Sequence, residues 1–538
     1  MRALCRACGL QSNLRPVSRR AGVTALTSAA ALLYCLQALL DYRRFLTSTF
    51  DLVIFDQGIR GYAHFQAPTS IARGVADGQS AHFSLLADHW SPILALLAPL
   101  YWIHGSPATL LVAQAVLFAL AVPPLWIYTQ RKLESEAAAY FVCGAYALSL
   151  PIMAAVVFDF HEVAFVPVLT VIMVERFTPP DQARGKRWQG IAAAFVLLLV
   201  KEDMGLLVAG FGCYLLLTGW REAGRRWTGL GFIIGGLAAT WVATHVLIPA
   251  SGGSASFYWA YGQFGATPGS AALNMIEHPL HALHVFFTPW VKTRTMIGLL
   301  ATFAFLGLLS PMTVAALPLL AERMLASGYP LWWQAKFQYD AFLVMILCCA
   351  AVDGAARLQG WLEQGRVPAL SYPWSRPAWL RQGGKAWRFG VLWAAAICVA
   401  GLVYVPSSPF GDLLHPKFYL VNPRMRAAAA AVAHVPSGVE VEAANNLGPR
   451  LSARDTVLLL DGTPRWAPWV VADTIGLDFP FCSPSQQAQL VQYLVAHGYR
   501  EVFADDGYVV LYRPADSRTV QALAHPVPAA RLHTNVCY

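Results

Sequence analysis

The chain has 538 residues, of which 57% are hydrophobic and only 13% carry a charge. Soluble globular domains carry roughly 25% charged residues, so this composition excludes an ordinary soluble enzyme, a disordered tail, a disulfide-stabilised miniprotein and a collagen-like chain. The formal net charge of +9 raises the question of nucleic-acid binding. The basic residues lie between apolar segments, however, which indicates membrane topology and no nucleic-acid partner.

Apolar segments of about 15 to 25 residues recur between residues 21 and 406, and such lengths cross a hydrocarbon core of about 30 Å. The sequence therefore predicts an α-helical polytopic membrane protein with about eleven transmembrane helices in a membrane domain at 21–406. The predicted spans lie at 21–40, 107–128, 137–157, 163–177, 190–200, 204–218, 228–249, 295–310, 312–326, 341–356 and 389–406. The short apolar segment 92–103 favours an interfacial helix.

Lys and Arg residues between these segments predict the orientation of the chain. With the basic N-terminal segment 1–20 in the cytoplasm, 20 basic residues before residue 407 lie inside and nine lie outside. Because cytoplasmic loops are enriched in Lys and Arg, this distribution supports a cytoplasmic N-terminus. It predicts a multi-pass protein of the bacterial inner membrane, with a first extracytoplasmic loop at 41–106 and residues 407–538 outside.

From residue 407 onward the apolar runs are too short to span a membrane. Strands are predicted at 439–443, 456–460, 469–472 and 501–504, with a helix at 484–497 and a hairpin turn at 505–507. We therefore predict a small extracytoplasmic α/β domain at 407–538. It contains no phosphate-binding glycine motif, so it either covers the site, docks an acceptor or serves as a structural cap.

Ionisable residues gather in the segments that this topology places outside. Such groups are costly next to hydrocarbon, so they are candidates for function, whereas polar anchors at helix ends are the alternative interpretation. Aromatic residues of the loop 250–294, Tyr258 among them, fit either sugar stacking or an aromatic belt at the membrane interface. The candidate site residues are Asp51, Asp56, Arg60, His82, Asp88, His89, Asp159, His161, Glu162, Lys201, Glu202, Asp203, Lys336 and Tyr339.

Four ordered motifs carry a resemblance to a known family. They are Phe-Asp-Leu-x-Ile-Phe-Asp-Gln-Gly at 50–58, the segment 78–93 with Ala-His-Phe-Ser-x-Leu-x-Asp-His-Trp-Ser-Pro-Ile, Phe-Asp-Phe-His-Glu at 158–162 and Val-Lys-Glu-Asp at 200–203. Together they resemble a family of prokaryotic membrane proteins catalogued as a domain of unknown function, over roughly residues 45–350. That family is similar in architecture to the GT-C glycosyltransferases.

The resemblance implies an integral membrane glycosyltransferase. GT-C enzymes move a sugar from a polyprenyl-phosphate donor to an acceptor on the outer side of the membrane, here a glycan, a lipid or a protein. Their catalytic acidic residue follows the first helix, where Asp56 occupies the matching place and Asp51 is the second choice. Inverting transfer needs such a carboxylate, because the acceptor hydroxyl loses its proton as it attacks an oxocarbenium-like centre.

The phosphate leaving group of such a donor needs positive charge or a metal ion. Lys201 is the first candidate for that charge, and Lys336 and Arg60 are the next candidates. A divalent metal, Mg²⁺ or Mn²⁺, held by Asp88, His89, His161 and Glu162 is one interpretation of the remaining residues. A hydrogen-bonded polar network, or contacts to sugar hydroxyls, is the other.

Two other functions are compatible with the sequence. A membrane transporter or flippase of a lipid or small solute is the alternative function, although the sequence shows no obvious internal repeat and only Asp353 stands in mid-helix. An inactive assembly scaffold is a third.

Cys482 and Cys537 are the two cysteines of the outer domain, and a disulfide between them is predicted because the extracytoplasmic space is oxidising.

Overall fold

The computed structural model describes residues 16–178, 187–256, 258–364, 385–516 and 518–519. These residues form a mainly helical body followed by one small β-sheet near the C-terminus. The prediction of a mainly helical chain is therefore confirmed.

The helical body consists of helices that we number in chain order. They are α1 (Pro16–Arg43), α2 (Ile54–Ala63), α3 (Ile71–Ala76), α4 (Leu85–Asp88), α5 (Ala98–Ile103), α6 (Pro107–Ala119), α7 (Val122–Leu133), α8 (Glu136–Ala147), α9 (Leu150–Val157), α10 (Val166–Phe177), α11 (Arg187–Leu197), α12 (Met204–Gly219), α13 (Ala223–Val242), α14 (Ile248–Ala250), α15 (Pro268–Glu277), α16 (Pro279–Phe287), α17 (Trp290–Ala301), α18 (Leu317–Leu325), α19 (Ala341–Glu363) and α20 (Lys385–Tyr404).

Five helical stretches among the described residues are long and apolar enough to cross a membrane. They are Arg19–Arg43, Pro107–Leu133, Ala223–Ala250, Gln338–Glu363 and Phe389–Ser407. The pair α8 and α9 forms a sixth if it is taken as one span bent by 42°. The remaining predicted spans hold shorter helices, so the count of about eleven stays a prediction.

Local backbone features explain why some apolar segments are interrupted. The segment predicted at 295–310 ends its helix at Ala301, because Ala304 and Phe305 adopt φ values of 54° and 60° in the left-handed region. The segment predicted at 137–157 bends where Pro151, which has no amide hydrogen to donate, begins α9.

Small residues let α12 and α13 pack closely in the helical body. A Cβ atom at Gly205 would lie 2.2 Å from the carbonyl oxygen of Gly236, and one at Gly212 would lie 2.6 Å from that of Gly229. Close approach of this kind is the usual basis of helix association in membranes. A side chain at any of these positions would force the two helices apart.

The segment predicted as the first outer loop begins with an unusual turn that carries one of the candidate carboxylates. Residues Thr49–Val53 form a π-helical turn that leads directly into α2. The hydroxyl of Ser48 caps this turn by accepting the amide hydrogen of Asp51 at 3.1 Å. Farther along the loop, a 3₁₀ turn and α5 form the short apolar helix Pro92–Ile103.

Five strands form the sheet near the C-terminus: β1 (Glu440–Ala443), β2 (Thr456–Leu459), β3 (Trp469–Asp473), β4 (Arg500–Asp505) and β5 (Tyr508–Tyr512). Their order is β2-β1-β3-β5-β4, with β1 parallel to β2 and β3, and β5 antiparallel to β3 and β4. Helices α21 (Pro423–His434) and α22 (Pro484–Ala496) pack against the sheet. The four strands, the helix at 484–497 and the hairpin turn at 505–507 lie where they were predicted.

One apolar core joins the sheet to the first outer loop. Val53 and Ile54 of the loop pack in the same buried cluster as Val441 of β1 and Val510 of β5. The C-terminal sheet therefore rests on the segment that carries the candidate carboxylates. That the sheet belongs to an extracytoplasmic domain stays a prediction.

Candidate functional site

Asp51 and Asp56 belong to one short helical segment but have different surroundings. Residues five apart on a helix point about 140° away from each other. The Asp51 side chain keeps 25% of its surface exposed, whereas that of Asp56 is completely buried. Of the two, only Asp51 is open to an incoming molecule.

Three donors close off the Asp56 carboxylate. Arg60 Nη2 lies 3.1 Å from both of its oxygens, and the hydroxyl of Tyr101 donates at 2.7 Å. The hydroxyl of Ser452, from the C-terminal domain, donates a third hydrogen bond. Burial raises the pKa of Asp56, and the positive charge of Arg60 opposes this rise. Asp56 thus links α2 to α5 and to the segment that contains Ser452.

Asp51 faces a histidine and a second carboxylate. Its Oδ1 atom lies 3.4 Å from Nε2 of His161. Asp159, two residues before that histidine, accepts the backbone N–H of Ser48 at 2.8 Å through one oxygen. The other oxygen of Asp159 is buried and has no hydrogen-bond partner among the described residues. We call Asp51, Asp159 and His161 the aspartate–histidine cluster.

The charge of Asp51 shifts both buried members of this cluster toward protonation, and burial adds to the shift only for Asp159. Burial, reinforced by the negative charge of Asp51, raises the pKa of Asp159 to about 7. Burial alone would lower the pKa of His161, but its hydrogen bond to Asp51 and the charge of Asp51 raise it above the ordinary value. Asp159 and His161 therefore both favour their protonated forms more than free side chains do.

A lysine lies on the same side of the structure. Nζ of Lys201 is 3.8 Å from Oε1 of Glu162 and 5.3 Å from the ring centre of Phe342. Burial lowers the pKa of Lys201, but the carboxylates of Asp203, Glu162 and Glu202 raise it above the ordinary value, so the amine is charged at neutral pH.

Tyr339 connects this lysine to the aspartate–histidine cluster. It interacts electrostatically with Lys201 and with Asp51. The candidate site therefore contains an open carboxylate, a protonatable pair and a cation in one neighbourhood, and we call it the Asp51–Lys201 site.

A second polar network lies beside it and contains two predicted motifs. Arg73 donates to Asp88 through Nε at 2.8 Å and Nη2 at 3.0 Å, and the hydroxyl of Tyr258 donates to Asp88 at 2.6 Å. His89 stacks on the Tyr258 ring at 4.7 Å and shares a 2.7 Å hydrogen bond with Glu202. Because Glu202 is adjacent to Lys201 in the chain, this network borders the Asp51–Lys201 site.

Asp203 completes the Lys-Glu-Asp motif. One of its oxygens is buried without a hydrogen-bond partner in the described part of the chain. Burial raises the pKa of this carboxyl to about 6, although the charge of Lys201 opposes the rise.

Three further candidates from the sequence have different surroundings, and Lys336 reaches the cluster only through the rings of Phe337 and Phe158. Arg60 is engaged with Asp56 and with the Gly105 carbonyl oxygen at 3.3 Å. His82 is exposed, and its backbone N–H donates to Ser80 at 3.1 Å. Lys336 is exposed, with Nζ 5.2 Å from the ring centre of Phe337.

Arg73 and Ser452, which the sequence did not single out, take part in these networks, as does Tyr258, which the sequence offered for sugar stacking or an aromatic belt. Arg73, Tyr258 and Ser452 contact predicted residues, but they lie 15, 170 and 396 positions from their partners. Local spacing carries no information about such pairs, since only the fold brings them together. The one local signal was the Arg73–Asp77 pair, at helical spacing.

The four residues offered for a divalent metal do not fit a single ion. Asp88 is bound by Arg73 and Tyr258, and His89 is bound by Glu202, whereas His161 faces Asp51. Among the described residues, no group of three or more His, Cys, Asp or Glu side chains has the arrangement of a metal site. The hydrogen-bonded network is the interpretation that these contacts favour.

Only one of the two cysteines in the predicted disulfide lies among the described residues. Cys482 is disulfide-bonded. Its predicted partner Cys537 lies outside the described residues, so the pairing stays a prediction.

The chain is similar to known proteins in both sequence and structure. The family described as "Predicted membrane protein (DUF2079)" matches residues 41–510. No curated protein matches the sequence. The crystal structure of ArnT from Cupriavidus metallidurans bound to undecaprenyl phosphate superimposes with a TM-score of 0.51 at 13% identity, covering 92% of this chain and 98% of ArnT.

Two further solved structures are similar at lower scores. The apo structure of the same ArnT gives a TM-score of 0.48 at 12% identity, covering 93% of this chain and 100% of ArnT. The apo oligosaccharyltransferase of Archaeoglobus fulgidus gives 0.37 at 12% identity, covering 84% of this chain and 69% of that enzyme. These neighbours are GT-C glycosyltransferases, and the likeness to ArnT indicates a shared fold.

Proposed function

Since the chain belongs to the DUF2079 family of predicted membrane proteins, and its fold is that of the GT-C glycosyltransferases, we propose that it is an integral membrane glycosyltransferase. It transfers a sugar from a polyprenyl-phosphate donor to a glycan, lipid or protein acceptor outside the cytoplasm. The observation that carries this proposal is the open carboxylate of Asp51 beside the aspartate–histidine cluster, with Lys201 in the same neighbourhood.

Asp51 is the general base in this proposal, and Asp56 is not. A base must reach the acceptor hydroxyl within hydrogen-bond distance. The exposed face of Asp51 permits this contact, whereas Arg60, Tyr101 and Ser452 already occupy the buried Asp56 carboxylate. This reverses the order of the two residues that the family resemblance implied.

The reaction is a single displacement. The acceptor oxygen bonds to the anomeric carbon while its proton passes to Asp51, and the bond from that carbon to the lipid phosphate breaks with both electrons. The configuration at the anomeric carbon is inverted. Asp159, whose pKa is raised to about 7 by burial and by the charge of Asp51, and His161 then take part in releasing the proton.

Lys201 stabilises the departing phosphate. Its amine is charged and largely shielded from water, and a fixed positive charge is most effective in such surroundings. The solved ArnT structure that shares this fold is bound to undecaprenyl phosphate, a lipid carrier of the proposed class. A divalent metal is not assigned a role in these steps.

Transport is the alternative function. Its strongest sequence feature was Asp353, which lies in mid-helix in α19. Lys132 at 2.6 Å, Ser310 at 2.7 Å and Arg357 at 2.7 Å all bind this carboxylate. Such a fully engaged group fits a structural ion-pair network, so no contact here favours transport over transfer.

The test is a transfer assay in proteoliposomes, with radiolabelled polyprenyl-phosphate sugars and membrane extracts as the source of acceptors. We expect Asp51→Asn to lower turnover by about a hundredfold or more, since general-base catalysis contributes about 10² to 10⁴ in rate. Wild-type protein that transfers no sugar but equilibrates labelled lipid across the bilayer would instead establish the flippase alternative.

A further inference from the structure

Asn445, two residues after the end of strand β1, is hydrogen-bonded to the turn that carries Asp51. The backbone N–H of Thr49 donates to the carbonyl oxygen of Asn445 at 2.6 Å, and the Thr49 hydroxyl donates to the same oxygen at 2.8 Å. The backbone N–H of Phe50 donates to Oδ1 of the Asn445 side chain at 2.9 Å. Three hydrogen bonds thus fix the two residues immediately before Asp51.

The opposite side of this turn is fixed by the helical body. Ser48, directly before Thr49, donates its backbone N–H to Asp159 at 2.8 Å. The Asp51 turn is therefore held between Asp159 on one side and Asn445 on the other. Because both anchors act on consecutive residues, the direction of the Asp51 side chain depends on the two together.

Further contacts extend the same attachment along the first outer loop. Gln57 of α2 donates to the carbonyl oxygen of Val457 in the edge strand β2 at 2.9 Å. Arg465 donates to the Val75 carbonyl oxygen in α3 at 3.1 Å. An exposed edge strand normally needs protection, and here the first loop supplies it.

This attachment fills the place where α/β sheets commonly bind ligands. In such sheets the ligand crevice lies beyond the carboxyl ends of the parallel strands. At the carboxyl end of β1, Ala444 and Asn445 accept hydrogen bonds from the Thr49 hydroxyl, and a Cβ atom on Gly448 would lie 2.2 Å from the hydroxyl oxygen of Thr49. The chain's own catalytic turn occupies the space.

We propose that Thr49 and Asn445 are positioning residues, through which the C-terminal domain sets the orientation of Asp51 for sugar transfer. This inference rests on the proposed function. It assigns the domain a part in catalysis that neither a passive cap nor an acceptor-docking module would have.

Substitutions at Thr49 and Asn445 provide the test, with a substitution at Thr47 as the control. Thr49→Val removes the hydroxyl that donates to Asn445, and Thr49→Ser restores it. Thr47→Val is the matched control, because the Thr47 hydroxyl is equally buried but has no hydrogen-bond partner within the described part of the chain. Asn445→Ala is a second variant that removes the bond to Phe50 from the other partner.

The first measurement is hydrogen–deuterium exchange of the full chain in detergent, read on peptides that cover residues 48–57. We expect several-fold faster exchange in Thr49→Val and Asn445→Ala, and wild-type exchange in Thr47→Val and Thr49→Ser. Equal exchange in Thr49→Val and Thr47→Val would overturn the proposal, whether or not the protein transfers sugar.

The second measurement is kinetic. A lost hydrogen bond to a positioned group predicts about a tenfold lower kcat for Thr49→Val with an unchanged KM for the donor, and recovery in Thr49→Ser. A change in KM alone would contradict positioning. Loss of all activity in Asp51→Asn alongside normal kcat in Thr49→Val would reject this inference and leave the proposed function intact.

Discussion

At the scale of single residues, the carboxylates of Asp51 and Asp56 illustrate how surroundings assign roles. Asp56 has lost all contact with solvent, and its oxygens accept from Arg60, Tyr101 and Ser452. A buried carboxylate with several donors is costly to disturb, because removing its charge leaves an unpaired guanidinium. Such an arrangement holds the loop, the helix α5 and the C-terminal domain together.

We therefore expect Asp56→Asn to reduce stability more than catalysis. The amide keeps an acceptor for the Tyr101 hydroxyl but loses the ion pair with Arg60, so thermal unfolding should occur several degrees lower. Turnover should stay within about tenfold of wild type at a temperature where the variant is folded.

Ser452→Ala provides the companion measurement for this prediction. It removes one donor to Asp56 without touching the charge, and it should lower the unfolding temperature by less than Asp56→Asn does. An inactive but normally stable Asp56→Asn protein would return the role of base to Asp56.

Lys201 leads to a separate prediction about the donor. Replacing it by Gln removes the charge that we assign to the departing phosphate, so kcat/KM for the lipid-linked donor should fall by about a hundredfold. Lys336→Gln is the control, because Lys336 is exposed and its charge is surrounded by solvent, and it should change kcat/KM by less than about threefold. Equal losses in both variants would indicate a general effect of basic charge at the membrane surface.

At the scale of secondary-structure elements, the sequence predicted the strands better than the spans. The strands β2 and β3 are short, mostly apolar runs, and β1 alternates acidic and apolar residues, and such local patterns between polar turns are sufficient to locate them. Span lengths depend on interruptions, such as the left-handed Ala304 and Phe305, that apolar composition does not reveal. The docking of the first loop on β1 and β2 joins residues about 400 positions apart, so no local pattern contains it.

Strand β1 also carries a buried acidic residue that makes stability depend on pH. Glu442 is fully buried, and one of its oxygens accepts the backbone N–H groups of Arg465 at 3.1 Å and Ala467 at 3.0 Å. Its other oxygen has no partner among the described residues. Burial raises the pKa of this carboxyl to about 7.

Because the folded-state pKa is raised, the folded protein favours the protonated carboxyl. Its stabilising contribution is complete below the ordinary glutamate pKa and is lost as pH rises through about 7. Glu442→Gln cannot ionise, so its advantage over wild type should grow between pH 5 and pH 8, by an amount on the order of a few kcal/mol.

Thermal unfolding of the full chain at both pH values measures this effect. The exposed Glu501 of β4 supplies the control substitution Glu501→Gln, which should show no such pH dependence. A difference between Glu442→Gln and wild type that is the same at pH 5 and pH 8 would contradict the raised pKa.

At the scale of the whole molecule, the grouping of the separate polar motifs was the part of the site that could be predicted, whereas the membrane topology that suggested it stays a prediction. Assigning the polar motifs to one face brought Asp51, Asp159, His161 and Lys201 into one candidate set, and the structure brings these four into one neighbourhood. Which carboxylate is open could not be predicted, because it depends on Ser452, a residue of the C-terminal domain.

The orientation of the chain in the membrane gives the last prediction, and Cys482 makes it measurable. This residue is disulfide-bonded, and disulfides persist outside the cytoplasm but are rare within it. The described free cysteines are Cys35, Cys143, Cys213, Cys348, Cys349 and Cys398, and all lie in the helical body. We therefore expect that Cys482 pairs with Cys537 and that both lie outside.

Cells that display the protein can be treated with a membrane-impermeant maleimide, after denaturation or without it, and with or without reductant. Wild-type C-terminal peptides should be labelled only after reduction, whereas Cys537→Ser should expose the Cys482 thiol to the reagent without reductant. The bridge would close a loop of about 55 residues, so Cys537→Ser should also destabilise the domain by a few kcal/mol, or about 2 to 4. Labelling of wild-type Cys482 and Cys537 without reductant would reject the bridge. If Cys482 in the Cys537→Ser protein reacted only after the membrane was permeabilised, the C-terminal domain would lie in the cytoplasm, and the proposed transfer on the outer face would fail with it.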